Sequence, residues 1–102
     1  MNRQIQLALE IIGRDYDNRL SMIRLACAVH LSPSRFSHLF HQEVGQSYKG
    51  YVHQFRMRKA ADMLIDGRLP IKQIADRIGF VHSRNLARAF KQHFGKIPSR
   101  YP

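Results

Sequence analysis

The sequence lacks tryptophan and contains only one cysteine, Cys27, among its 102 residues. A lone cysteine excludes an intrachain disulfide and is typical of a reducing compartment. Because Cys27 lies in the apolar run 25–29, we expect a small buried side chain. No stretch reaches the roughly 18 apolar residues of a membrane span, and the N-terminus has no apolar signal-peptide core. These absences predict a cytoplasmic protein with no membrane partner.

Acidic residues are also scarce. Seven Asp and Glu oppose 17 Lys and Arg, which gives a formal net charge of +10. The first 20 residues are balanced in charge, so the whole excess lies in residues 21–102. A localised excess of this kind indicates a polyanionic partner, nucleic acid first and an anionic membrane second. A basic surface that serves solubility alone is the alternative.

No segment alternates in hydrophobicity with the period of a strand, whereas Ser, Pro and Gly divide the chain into helical segments. Helices are predicted over about 5–13, 21–30, 32–43, 47–65, 70–79 and 82–94, with a last turn from Pro98. Ser21, Ser32 and Ser47 are the predicted N-caps, and glycines follow the predicted C-terminal ends. We therefore expect an all-α protein of about seven helices.

An internal repeat organises the chain. Four positions recur 49 residues later, where Leu25, Ala26, Val29 and Leu31 become Ile74, Ala75, Ile78 and Phe80. Six recur 50 residues later, where Phe36, Phe40, Gln42, Val44, Gly45 and Tyr51 become Leu86, Phe90, Gln92, Phe94, Gly95 and Tyr101. The unit "short helix, turn, longer helix, Gly" thus occurs twice. We expect one domain, 1–102, with subdomains 1–46 and 67–102 joined by a connecting helix, 47–66.

The first helix of each unit is short and apolar, as a supporting helix must be, and the second is amphipathic. The side chains expected to point inward are Ile23, Ala26, Cys27, Phe36, Leu39 and Phe40 in the first unit, Ile71, Ile74, Ala75, Ile78, Leu86, Ala89, Phe90 and Phe94 in the second, and Tyr51, Val52, Phe55, Met63 and Leu64 in helix four. The side chains expected to point outward are Ser34, Ser37, His38 and His41, and in the second unit Ser83, Arg84, Ala87, Arg88 and Lys91.

These outward faces contain no acidic residue, which suits a groove walled by phosphates. An arginine can bind guanine with two hydrogen bonds, asparagine suits adenine, and serine permits close approach. We therefore predict base contacts from Ser34, Ser37, His38, Ser83, Arg84, Asn85 and Arg88. Asn85 lies at the edge of its face and could equally be a surface residue. Phosphate contacts are predicted from Ser32, Arg35, Lys49, Arg58, Lys59, Lys91 and Arg100.

Helix four explains why both units lie on one chain. Its length of about 28 Å is close to the spacing of about 34 Å between recognition helices on one face of DNA. A monomer could then occupy two successive major grooves. Arg56 of this helix either contacts phosphate or holds the two units together by an internal ion pair.

The chain resembles the DNA-binding domain of AraC-type (AraC/XylS) bacterial transcription regulators from about Ile5 to Tyr101. The matching segments are 23–26, 31–40, 56–64, IADRIGF at 74–80, LARAFKQHFG at 86–95 and PSRY at 98–101. The resemblance implies two homeodomain-like helix-turn-helix subdomains joined by a long helix, and transcription regulation at promoters. It implies the same base contacts, and contact with RNA polymerase in activating members.

The chain departs from this family pattern at three points. Asn85 replaces an aromatic residue or histidine, and Ile97, which cannot cap, replaces the Ser or Thr that commonly precedes the last turn. A sensor domain, through which a longer protein could dimerise, is missing. We expect either a C-terminal domain or a small stand-alone member of the family.

No catalytic constellation occurs in the sequence. His38 and His41 have a spacing at which two histidines of one helix could share a metal ion, but no carboxylate or cysteine pair accompanies them. A glycine-rich phosphate loop is also missing. We therefore expect no enzyme activity, no cofactor and no metal. The competing interpretation is a basic helical protein-interaction module that binds an acidic partner, such as an RNA polymerase subunit.

Overall fold

The computed structural model describes residues 1–16 and 21–101, and these residues form helices without any strand. The elements are α1 Arg3–Asp15, α2 Met22–Ala28, α3 Pro33–Val44, α4 Tyr48–Asp66, α5 Ile71–Arg77, α6 Ser83–Phe94 and a 3₁₀ turn Pro98–Arg100. The all-α prediction is confirmed, with six α-helices and one short turn in place of about seven helices. No described helix combines the length and the apolar character needed to cross a membrane.

The predicted serine caps begin three of these helices. The hydroxyl oxygens of Ser21, Ser32 and Ser47 each accept from the backbone N–H three residues later, at 3.4, 3.2 and 3.1 Å. Each bond satisfies one of the amides that a helix leaves without a partner at its start. The last turn has no such cap at Ile97, yet it forms, with Pro98 buried beneath it.

The prediction that α1 ends near Gly13 falls two residues short, because the helix continues to Asp15. A glycine inside a helix costs only about 1 kcal/mol relative to alanine. The buried face of α1, formed by Ile5, Ala8 and Ile12, outweighs that cost by packing apolar side chains.

Two inward predictions on α2 are also wrong. Cys27 is exposed, and Ile23 has a relative exposure of 64%. The buried side chains of this segment are Leu25, Ala26 and Val29. At 100° per residue, positions 23 and 27 lie nearly opposite Leu25, so burial of one face exposes the other.

The inward face of α4 was only partly predicted. Its buried residues are Val52, Met57, Ala60 and Ala61, of which only Val52 was expected. The other four expected residues, Tyr51, Phe55, Met63 and Leu64, are half-buried. Leu39, Ile71, Ala89 and Phe94 are likewise half-buried and not buried as expected.

The chain forms two compact units, Met1–Gln54 and Phe55 onward, with the division inside α4. In the first unit α1 packs on α2 and α3, and α2 packs on α3. The Gln4 side chain also donates to the Val29 carbonyl at 2.7 Å, which ties α1 to the end of α2. In the second unit α5 packs on α6, and the 3₁₀ turn packs on the same helix.

Candidate nucleic-acid interface

The turn after the supporting helix has the same hydrogen bonds in both units. The Leu31 amide donates to the Ala26 carbonyl at 2.9 Å, and the Phe80 amide donates to the Ala75 carbonyl at 2.8 Å. A bond that spans five residues closes a helix end in which the penultimate residue is left-handed. The sequence repeat at a displacement of 49 is therefore a repeat of one turn geometry.

The left-handed residue of this turn differs between the units. It is His30 in the first, with φ +62°, and Gly79 in the second, with φ +94°. His30 is the only non-glycine residue with positive φ in the described chain. Sequence analysis did not single it out, although its alignment with Gly79 in the repeat was the available signal.

The second helix of each unit is also held in the same way. A left-handed glycine caps the C-terminal end of each helix, Gly45 after α3 and Gly95 after α6. Each helix also contributes to an aromatic pair whose rings are steeply inclined. The ring centres of Phe40 and Tyr51 lie 5.7 Å apart, and those of Phe90 and Tyr101 lie 5.1 Å apart. This is the part of the repeat that was displaced by 50 residues. Both helices are thus oriented by matched contacts at equivalent positions.

The outer face of α3 presents serines, histidines and one arginine. Phe36 and Phe40 point into the core with no exposure, and the predicted outward residues are all exposed. These are Ser34, Ser37, His38 and His41, and the predicted phosphate contact Arg35 is exposed as well. The one acidic residue of the helix, Glu43, is half-buried, and its carboxylate accepts from the backbone N–H of Asn2 at 2.9 Å. No acid therefore opposes an approaching phosphate on this face.

The outer face of α6 is more strongly cationic. Leu86 and Phe90 are fully buried, and the helix contains no acidic residue. Exposed residues along it are Arg84, Asn85, Arg88 and Lys91, while Ser83 is half-buried. The two outer faces therefore differ in chemistry, although the helices that present them are held alike.

Most of the predicted phosphate-binding cations are free of ion pairs within the described residues. The salt bridges found there join Arg14 to Asp15 at 3.4 Å and Arg68 to Asp66 at 2.6 Å. Arg68 holds the pKa of the Asp66 carboxyl below its ordinary value, chiefly through a side-chain hydrogen bond. The predicted cations that are exposed and outside these pairs are Arg35, Lys49, Arg58, Lys91 and Arg100.

The remaining two predicted phosphate contacts have partners of their own. Lys59 is half-buried, and its ammonium lies 5.5 Å from the centre of the Phe55 ring. The Ser32 hydroxyl is exposed, and its oxygen accepts the capping bond of α3. Its O–H group keeps a proton to donate to an anion.

A further cation, Lys96, was missed by the sequence analysis. Together with Lys91 and Arg100 it lines a hollow of about 590 Å³ at the end of α6. Its signal was its place directly after Gly95, where a left-handed residue turns the chain back beside the helix. The described residues contain no cluster of three or more side chains suited to hold a metal ion.

Comparison with known proteins identifies the family. A family model described as a helix-turn-helix domain matches residues 25–102. A solved structure, the C-terminal domain of AraT, a response regulator from Geobacillus stearothermophilus, superposes with a TM-score of 0.92 at 30% identity. It covers 98% of this chain, and the chain covers 84% of it. The chain belongs to the AraC-type helix-turn-helix family.

Two regulators are similar along nearly the whole chain. The arabinose operon regulatory protein of Escherichia coli is 34% identical over 99% of this chain and 35% of its own length. The Msm operon regulatory protein of Streptococcus mutans is 33% identical over 90% of this chain and 33% of its own length. The chain thus spans about a third of these relatives. The resemblance seen in the sequence is confirmed, and family membership makes the chain a DNA-binding domain; both relatives are regulatory proteins.

Proposed function

We propose that α3 and α6 are recognition helices that each enter a major groove of double-stranded DNA and read bases there. One observation carries this proposal. Two helices that follow equivalent turns each expose a face on which no side chain is acidic. Hydrogen-bonding and cationic side chains at such positions are those that read base edges. The predicted base-contacting and phosphate-contacting residues named above are the proposed contacts.

The two units divide the work of recognition. Arg84 and Arg88 of α6 each bind a guanine, since their exposed guanidinium groups have no carboxylate partner among the described residues. Ser34, Ser37 and His38 of α3 allow closer approach and read through single hydrogen bonds. The half-site of the second unit is therefore richer in guanine, and the two half-sites differ in sequence.

The chain binds as a monomer in this proposal, because two units on one chain fill two half-sites without a second copy. Its place is the cytoplasm, at the nucleoid, and as the DNA-binding domain of an activator it also contacts RNA polymerase. Dimerisation of a longer protein through a sensor domain stays a prediction of the family resemblance.

Binding-site selection from random duplexes, followed by footprinting, tests the proposal. We expect two unlike half-elements whose centres lie about ten base pairs apart, protected by one chain per duplex. A single short element, or a palindrome bound by two chains, would contradict it. Arg14, paired with Asp15 on α1, provides the matched control. Arg14→Ala should leave the selected sequence unchanged.

A further inference from the structure

An apolar groove lies in the second unit, at the side of α6. It has a volume of about 410 Å³ and is lined by Leu64, Ile71, Ala87, Ile97, Pro98 and Ser99. Serine is the only one of these residues with a polar side chain. Ile97 remains 38% exposed in the groove. The sequence identified Ile97 only as a residue that cannot cap the last turn.

A basic hollow adjoins this groove. Its lining includes Lys91, Lys96 and Arg100, and it shares Ile97 with the groove. Neither lining contains an acidic residue, and the three cations form no salt bridge within the part of the chain that the structure describes. Apolar and cationic surfaces therefore meet at one side chain. We call the two together the Ile97 surface.

We propose that the Ile97 surface docks an acidic amphipathic helix of a partner protein. A helix bound in a groove inserts apolar side chains spaced at i, i+3, i+4 and i+7. Carboxylates that flank this apolar face would then meet Lys96, which is not among the proposed phosphate contacts. A DNA phosphate can pair with the cations but has no apolar group to fill the groove. Charge complementarity at Lys96 and the apolar lining together favour an acidic protein segment in the groove, whereas Lys91 and Arg100, which line the hollow beside it, are also proposed phosphate contacts.

Direct binding of a peptide tests the proposal without DNA, and so independently of the proposed function. The probe is a labelled helix-forming peptide of about 18 residues with Leu at helical spacing and Glu and Ala elsewhere. A scrambled peptide of the same composition is the control. We expect the periodic peptide to bind the whole chain about tenfold more tightly by fluorescence anisotropy, because only it presents a continuous apolar face. Equal affinity for both peptides would overturn the proposal.

Two substitutions assign the binding to the Ile97 surface. Ile97→Ser should weaken peptide binding about fivefold, because it removes apolar area that the peptide covers. The chain should still fold, since Ile97 has the extended backbone of an N-cap, where serine is favoured. Lys96→Ala should weaken binding about threefold at low salt.

The matched control is Ile23→Ser, which changes an isoleucine that is 64% exposed in the first unit. It should leave peptide affinity unchanged, and equal losses from Ile97→Ser and Ile23→Ser would refute the assignment. Binding of anionic phospholipid vesicles that depends on Ile97, without peptide binding, would refute it in favour of a lipid. Ile97→Ser should keep its affinity for DNA, which separates failure at this surface from failure of the proposed function.

Discussion

Gly79 offers a direct test of the repeated turn, through substitution by alanine. Its φ of +94° lies where an L side chain costs about 1–2 kcal/mol. Alanine also restricts the conformations of the unfolded chain, which stabilises the folded state by about 0.4–1 kcal/mol and partly offsets this cost. Gly79→Ala should therefore lower the free energy of unfolding by about 1 kcal/mol. For a domain of this size the Tm then falls by about 4–8 °C, measured by the helical circular dichroism signal during heating.

The same substitution at Gly13 is the matched control and should have the opposite sign. Gly13 lies inside α1, so alanine should raise the free energy of unfolding by about 1 kcal/mol. His30→Gly removes the side chain from the equivalent left-handed position of the first unit. It should raise the free energy of unfolding by about 0.5 kcal/mol. Shifts of the same sign for Gly79→Ala and Gly13→Ala would refute the backbone geometry described for the turn.

Three further predictions concern capping and DNA contacts. Ser32→Ala removes the capping bond of α3 and should lower the free energy of unfolding, measured by chemical denaturation, by about 1 kcal/mol. His82→Ser adds a capping side chain to α6, which has no side-chain cap, and should not lower that free energy. Arg88→Ala should relax base preference in one half-site, while Lys59→Ala weakens all duplexes alike; a uniform loss from Arg88→Ala would exclude base reading. If the six predicted cations each neutralise one phosphate, log affinity should fall against log salt with a slope of about −5, and a flat slope would contradict DNA binding.

Much of the fold could be predicted because its signals are local. Serine before a helix and glycine after it act within one turn of backbone, and they gave the starts of α2, α3 and α4 correctly. The errors arose where tertiary packing decides. Gly13 stays helical because α2 and α3 pack on α1. Met57 is buried, although the inward face of helix four predicted from the spacing of its apolar residues did not include it.

The candidate site could be predicted in part, for a similar reason. On an amphipathic helix the buried stripe fixes the outward positions, so Phe36 and Phe40 were enough to place Ser34 and His38 at the surface. The left-handed conformation of His30 was not predicted, because a positive φ is uncommon outside glycine and its one sequence signal, the alignment of His30 with Gly79 in the repeat, is indirect. The meeting of Lys96 with Ile97 and Arg100 depends on the chain reversal after α6, which a linear pattern does not describe.

The buried side chains and aromatic pairs described above for α3 and α6, such as Phe40 with Tyr51 and Phe90 with Tyr101, are distinct from the exposed side chains on the outer faces of these helices. Under the proposed mode of binding, the residues that stabilise each helix therefore differ from those that contact DNA. An outward residue such as Arg88 can be replaced with little cost in stability. Under the proposed mode of binding, a chain with two such helices changes the sequence of one half-site at a time, while the contacts with the other half-site keep it on the DNA. The same proposal predicts that new operator preferences arise through a series of single substitutions in which every intermediate remains folded and bound.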